Sequence, residues 1–258
     1  AGDRGVDQTF GRARAVLDEL AAARNQGLRF TDLVQATGFS KATMHRLLAG
    51  LVQHDFVEAG TNGRYFLGFR LATWGAAARD RHSMVERATP FLRALAEQSG
   101  DTAYLSIRIG SMSLCVARHE GPFPIRALPL APGDLNALGV GSGSLALLAF
   151  LPSVEEIGRV LADPENIRAR ERRNVSEQTI RQLAQSAREN GYVLAGGLTP
   201  GMVGLSLPVL SRTGRIIAAV SVATTSDRLH QPRLAEVLLL LRKIVQEIGL
   251  VLGEVPDP

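Results

Sequence analysis

The sequence predicts an α+β protein in two parts, a small helical head and a larger domain built on an antiparallel sheet. Three observations lead there. Apolar residues recur at helical spacing through the first third, then give way to two short apolar runs around Asn62-Gly63. After residue 100, strand-like runs come in neighbours joined by turns, with helical stretches set apart from them. A long amphipathic stretch, Gln231 to Leu252, closes the second part.

In the head, Phe10, Ala13, Val16, Leu17 and Leu20 mark one face of a first helix, which Gly27 ends. Thr31 is expected to cap a short helix carrying Leu33 and Val34, and Gly38 supplies the turn after it. Ser40 caps a third helix from Lys41 to about His54, with Met44, Leu47, Leu48 and Leu51 facing inward. Phe56–Glu58 and Arg64–Leu67 form a hairpin about Asn62-Gly63, a dipeptide that tolerates positive φ. Three helices and a hairpin make a winged helix-turn-helix over residues 8–68. A linker helix fills 69–82. Ser83 with Glu86 three residues on reads as a capping box, so the second domain spans 83–253. Pro90 is expected to kink the helix that follows, or to move its start later.

In the second domain, strands are expected at Tyr104–Ile109, Ser113–Arg118, Ile125–Leu130, Val203–Leu210 and Ile216–Ala223, the last two joined at Thr213-Gly214. Helices are expected at Gly143–Phe150, after the Ser153/Glu156 capping box, at Ser176–Asn190 ended by Gly191, and at Gln231–Leu252. The tail beyond Gly253 is expected to fray.

Composition narrows the function. Of 258 residues, 45% are apolar and 21% charged, which is globular rather than disordered. The first 82 residues hold 11 Lys and Arg against 8 Asp and Glu, and the remaining 176 hold 18 against 17. The positive excess therefore sits in the head, which suits an anionic partner such as DNA. With Cys115 as the lone cysteine, an internal disulfide is excluded. The longest apolar run is interrupted by Glu236, Arg242, Lys243 and Glu247, too often to span a bilayer. A cytoplasmic protein with no membrane partner is the expectation.

The third helix carries the first constellation. Its N-terminal residues Ser40, Lys41, Ala42 and Thr43, with His45 and Arg46 one turn on, offer hydroxyls, cations and methyls suited to phosphates and base edges of duplex DNA. Lys41 is one of only two lysines. Arg64 beside the wing turn is placed to lie along a phosphate or enter the minor groove, and Arg12 and Arg14 to clamp backbone. His45 and Arg46 have a second reading, as braces against the wing. The second constellation is Gly139-Val140-Gly141-Ser142-Gly143-Ser144, which opens a helix. Free amides at a helix start attract anions; the same residues also suit a plain tight turn with a serine cap. A dinucleotide fingerprint is a poor fit. Ser144 replaces its third glycine, and Pro132 to Asn136 does not read as the strand it requires. His119-Glu120 lacks a nearby nucleophile, and five histidines with one cysteine give no metal-ligand spacing, so neither cofactor nor metal is expected.

The run Thr37-Gly38-Phe39-Ser40-Lys41-Ala42-Thr43-Met44-His45-Arg46-Leu47-Leu48 resembles the isocitrate-lyase-regulator (IclR) family of transcription factors. So do Gly63–Gly68, Pro90–Ala96, Leu145–Pro152 and Gly191-Tyr192, in the same order. The resemblance implies a GAF-like sensor domain, a homodimer or homotetramer on a near-palindromic operator, and control by a small carboxylate or aromatic acid seated against the glycine-rich helix start. The effector-binding candidates are Leu128, Val140, Gly141, Ser142, Gly143, Ser144, Met202, Gly204, Ser221 and Ala223. Ligand binding is expected to reset the DNA heads through the helix around Leu71–Arg79. The sequence departs from the family pattern at Ala195-Gly196-Gly197, where acids are common, at Gly204, where a cysteine falls, and at Ala223, where a serine falls. A roomier, less polar pocket is expected. A small-molecule enzyme or a protein-interaction module with an appended winged helix are the competing readings.

Overall fold

The computed structural model describes residues 3–81, 84–196 and 199–253. The chain divides into two compact units, 1–82 and 83–258, and the expected cap at Ser83 and the tail beyond Gly253 lie outside the described residues.

The first unit runs α1 (Asp3–Ala23), a 3₁₀ turn (Arg24–Gln26), β1 (Leu28–Arg29), α2 (Phe30–Thr37), α3 (Lys41–Gln53), β2 (Val57–Ala59), β3 (Arg64–Leu67) and α4 (Arg70–Arg81). Val16, Leu20, Leu33, Met44, Leu48, Leu51 and Val57 form its core. Ser40 caps α3 as expected, its hydroxyl accepting from the Thr43 amide. Thr31 does not cap α2: Arg29 holds the N-cap position, and its amide donates to Asp32 at 2.9 Å, so an acid in the first turn does the capping. The wing has a third strand, β1, paired with β3 through Leu28↔Tyr65. Gly27 makes that pairing possible. Its φ is +59°, and a Cβ there would stand 2.5 Å from the Phe66 ring and 2.8 Å from the Tyr65 carbonyl oxygen. At the base of the wing, Trp74 of α4 packs its ring 5.0 Å from that of Phe56, and Arg70 pairs with Asp55 at 2.9 Å.

The second unit runs α5 (Met84–Ser99), β4 (Thr102–Ile109), β5 (Met112–His119), β6 (Leu135–Ala137), α6 (Ser142–Ala149), α7 (Val154–Ala162), α8 (Pro164–Glu171), α9 (Glu177–Asn190), β7 (Val193–Gly196), β8 (Met202–Leu210), β9 (Ile216–Thr225) and α10 (Arg233–Leu252). Pro90 does not delay α5, which starts at Met84 and continues through it. The expected strand at Ile125–Leu130 is absent; that segment is irregular, and β6 instead forms at Leu135–Ala137 by pairing with β5. A three-residue edge strand takes its form from its neighbour rather than from its own pattern.

The sheet has six strands in the order β6-β5-β4-β9-β8-β7, and every neighbouring pair is antiparallel. Alternation sorts its two faces. Leu105, Leu205, Leu207, Val220 and Val222 face α5 and α10, meeting Leu92, Leu95, Leu241 and Ile248. On the other face lies α6, apolar all round because it is sandwiched between the sheet and α9. Leu145, Leu147 and Leu148 are fully buried there, and each such burial stabilises by about 1.5–3 kcal/mol. This anchoring holds the N-terminus of α6 against the polar residues of β4 and β9.

Candidate functional site

In the head, Lys41, Ala42, His45 and Arg46 all lie exposed on α3, while Thr43 is half-buried. Lys41 and Arg46 have no polar partner among the described residues, so both cations are free for an anion. Ser40 is held by its cap, with its hydroxyl 3.0 Å from that of Thr43. His45 braces α3, but against α2 rather than the wing: its ring lies 4.2 Å from that of Phe30. Arg64 donates through Nη1 to the carbonyls of Gln26 and Gly27 at 3.2 and 3.0 Å, which ties the wing to the segment before β1. Arg12 sits half-buried on α1.

In the second unit, a two-lobed cavity opens at the start of α6. The first lobe is lined by Tyr104, Ser106 and Ser113 of the sheet, Pro129, Leu130, the stretch Val140–Ser144, Ser221 and Ala223. The second adjoins it and shares Pro129, Gly141, Ser142 and Ala223. It continues along Ala195, Gly196, Thr199, Met202, Val203 and Gly204. Gly141 is the N-cap of α6 and has φ +87°, a conformation that favours glycine. The first intrahelical bond runs from the Leu145 amide to the Gly141 carbonyl, so the amides of Ser142, Gly143 and Ser144 precede it. A Cβ built on Gly143 would stand 3.2 Å from Ser221 Oγ and 3.4 Å from Ser106 Oγ. These serines are 5% and 3% exposed, and neither hydroxyl has a hydrogen-bond partner among the described residues. Both hydroxyls line the cavity, so they are open to a ligand there, and both sit beside a positive helix end.

Three sequence expectations change at this site. Leu128 is 41% exposed and lines neither lobe; Pro129 and Leu130 do so instead. Ser144 lines the cavity but donates its only hydroxyl proton to the Ala137 carbonyl at 2.7 Å, and accepts from the Gly139 amide at 3.1 Å. It closes the glycine-rich loop. The room expected at Gly204 is already occupied: a Cβ there would meet Ser142 Oγ at 2.1 Å and Ser142 Cβ at 2.8 Å. Val140, Gly141, Ser142, Gly143, Met202, Gly204, Ser221 and Ala223 do line the cavity. Sequence reasoning missed Tyr104, Ser106 and Ser113. The alternation Tyr104-Leu105-Ser106-Ile107 carried the signal, since polar residues on every second position of a buried strand share one face.

The cavity wall is chemically quiet. Tyr104 donates its hydroxyl to the Ala127 carbonyl at 2.7 Å, and burial pushes its ionisation upward. Burial also raises the Cys115 thiol to about 12, with Asp134 adding to the rise. No group of His, Cys, Asp and Glu suited to a metal occurs among the described residues.

A winged head with an exposed recognition helix, joined to a sheet domain with a hydroxyl-lined cavity, defines a DNA-binding transcriptional regulator with an effector-binding domain. Comparison with known proteins agrees. Residues 10–60 match the IclR helix-turn-helix domain and residues 76–250 match the bacterial transcriptional regulator IclR C-terminal domain, so the chain belongs to the IclR family. The HTH-type transcriptional regulator BhcR of Paracoccus denitrificans is 29% identical over 237 residues, covering 91% of this chain and 84% of BhcR. An IclR family transcriptional regulator from Brucella abortus superposes with a TM-score of 0.76 at 21% identity, covering 96% of this chain and 93% of that one. An IclR homologue from Microbacterium hydrocarbonoxydans, complexed with 4-hydroxybenzoate, superposes with a TM-score of 0.67 at 22% identity, covering 96% and 100%. The family is one of regulators, not enzymes. No helix among the described residues is long and apolar enough to cross a membrane.

Proposed function

We propose that the chain binds a near-palindromic operator as a homodimer or homotetramer, and that a small carboxylate or aromatic acid in the α6 cavity sets its operator affinity. The observation that carries the effector half is the pair of cavity-lining hydroxyls, Ser106 and Ser221, which have no hydrogen-bond partner among the described residues and stand at the first turn of α6. A carboxylate there would accept from both hydroxyls and from the free amides, which together supply donors and positive potential in place of water. The 4-hydroxybenzoate bound by the Microbacterium homologue is an acid of this class.

On the DNA side, Lys41, Ala42, Thr43 and Arg46 read the major groove, with Ser40 and His45 holding α3 in shape and Arg12 and Arg64 beside the backbone. An effector alters operator affinity only by binding two arrangements of the protein unequally, and α4 is the element that carries that difference to the heads.

The test is a thermal-shift screen of the purified chain against aliphatic, acyl and aromatic carboxylates. A ligand at one hundred times its dissociation constant adds about 2.7 kcal/mol of stability. A stabilising acid whose effect falls in Ser221→Ala supports the reading. A stabilising acid indifferent to both Ser106→Ala and Ser221→Ala places the effector elsewhere.

A further inference from the structure

The two lobes differ in chemistry, and the difference narrows the effector. The lobe at the helix start carries the hydroxyls of Ser106, Ser113 and Ser221 and the amides of α6. The lobe beyond Ser142 is walled by Ala195, Met202, Val203, Gly204 and Ala223, with Thr199 as its polar side chain. No Lys, Arg, His, Asp or Glu lines either lobe among the described residues.

Resting on the acid-binding reading above, we infer that the effector is a monoanionic acid with an uncharged apolar tail, its carboxylate in the serine lobe and its tail in the lobe beyond Ser142. Helix amides and hydroxyls can offset one negative charge. A second carboxylate would enter the apolar lobe with no cation to meet it, where an unpaired charge is strongly disfavoured, and a phosphate dianion would bring a second charge to a serine lobe that likewise holds no cation. Ser142 stands on the wall common to both lobes, and Gly204 leaves it no space to retreat, so this side chain sets the width of the passage. Ala195 pairs with Gly204 across β7 and β8 and so shares its face, which makes Ala195 the residue that limits tail length.

The experiment is calorimetric titration of the full chain with acetate, hexanoate, benzoate, succinate and inorganic phosphate. Hexanoate or benzoate is expected to bind at least tenfold more tightly than acetate, with succinate and phosphate weaker than either tailed acid. Ala195→Leu, which fills the second lobe, is expected to weaken the tailed acids at least tenfold and leave acetate unchanged. Met202→Ala, which enlarges it, is expected to shift preference toward longer acids and keeps the inference testable if Ala195→Leu does not fold. Ser221→Ala is expected to weaken acetate and tailed acids alike. Equal affinity for succinate and hexanoate, or tailed acids indifferent to both lobe variants, overturns the lobe assignment while acid binding itself stands. Acids that bind without regard to Ser221→Ala, or no binding at all, overturn the acid-binding reading and this inference with it.

Discussion

Gly204 shows how much a single position can constrain a cavity. Its missing Cβ is where Ser142 packs, so Gly204→Ala forces either strand or helix start to move. Overpacking of this kind costs about 1–3 kcal/mol, and chemical denaturation should show it as a lowered midpoint with little change in slope. Cys115 gives a second test at this scale. A thiol held at about 12 is ionised in roughly one molecule in ten thousand at pH 8, and only the thiolate is a good nucleophile. Iodoacetamide should therefore leave Cys115 unmodified in the native protein and alkylate it once the chain is unfolded. Rapid native labelling would contradict the buried placement. At the residue scale the glycine-rich stretch was legible as a helix start, because glycine and serine spacing is local. Ser106 and Ser113 were less so: alternation puts Ser106 on one face of β4, but nothing local to the β4–β5 hairpin shows that α6, which begins only at Ser142, packs on that face.

At the scale of elements, the long periodic helices and central strands were readable, and so were the short wing strands β2 and β3 about Asn62-Gly63, whereas three other short strands were not. β1, β6 and β7 have two, three and four residues, too few for alternation to register. Each exists because a longer neighbour offers it hydrogen bonds. The segment Ile125–Leu130 has strand-like composition, yet Ala127 is used to accept from Tyr104 and Leu130 to accept from Arg118. α8 is hard to read from the sequence although Asp163 caps it and Pro164 opens it, since four arginines near its end mask any apolar periodicity. The joint between β4 and α10 rests on Asp101, whose carboxylate accepts from Thr224 at 2.7 Å, Arg233 at 2.6 Å and Arg228 at 3.3 Å. Removing one partner of a buried pair costs about 3–5 kcal/mol. Arg228 and Arg233 are partly solvated, so Asp101→Ala should fall at the lower end. A loss below about 1 kcal/mol in urea denaturation would show that the cluster is not what joins these elements.

Across the whole molecule, charge and cavity divide the labour. The positive excess lies in the first 82 residues, with Lys41 and Arg46 exposed on α3, while the second unit is nearly neutral and holds the cavity. A protein that binds DNA through such cations releases counterions, so its affinity falls steeply with salt. The most direct test is fluorescence anisotropy on a duplex selected by the chain from a random-sequence pool, titrated at several salt concentrations with the wild type, Lys41→Ala and Arg46→Ala. The regulator account predicts a steep salt dependence and a loss of about 1–3 kcal/mol for either substitution that removes a base contact. A shallow salt dependence, with both substitutions leaving affinity unchanged, would contradict α3 as the surface that reads DNA.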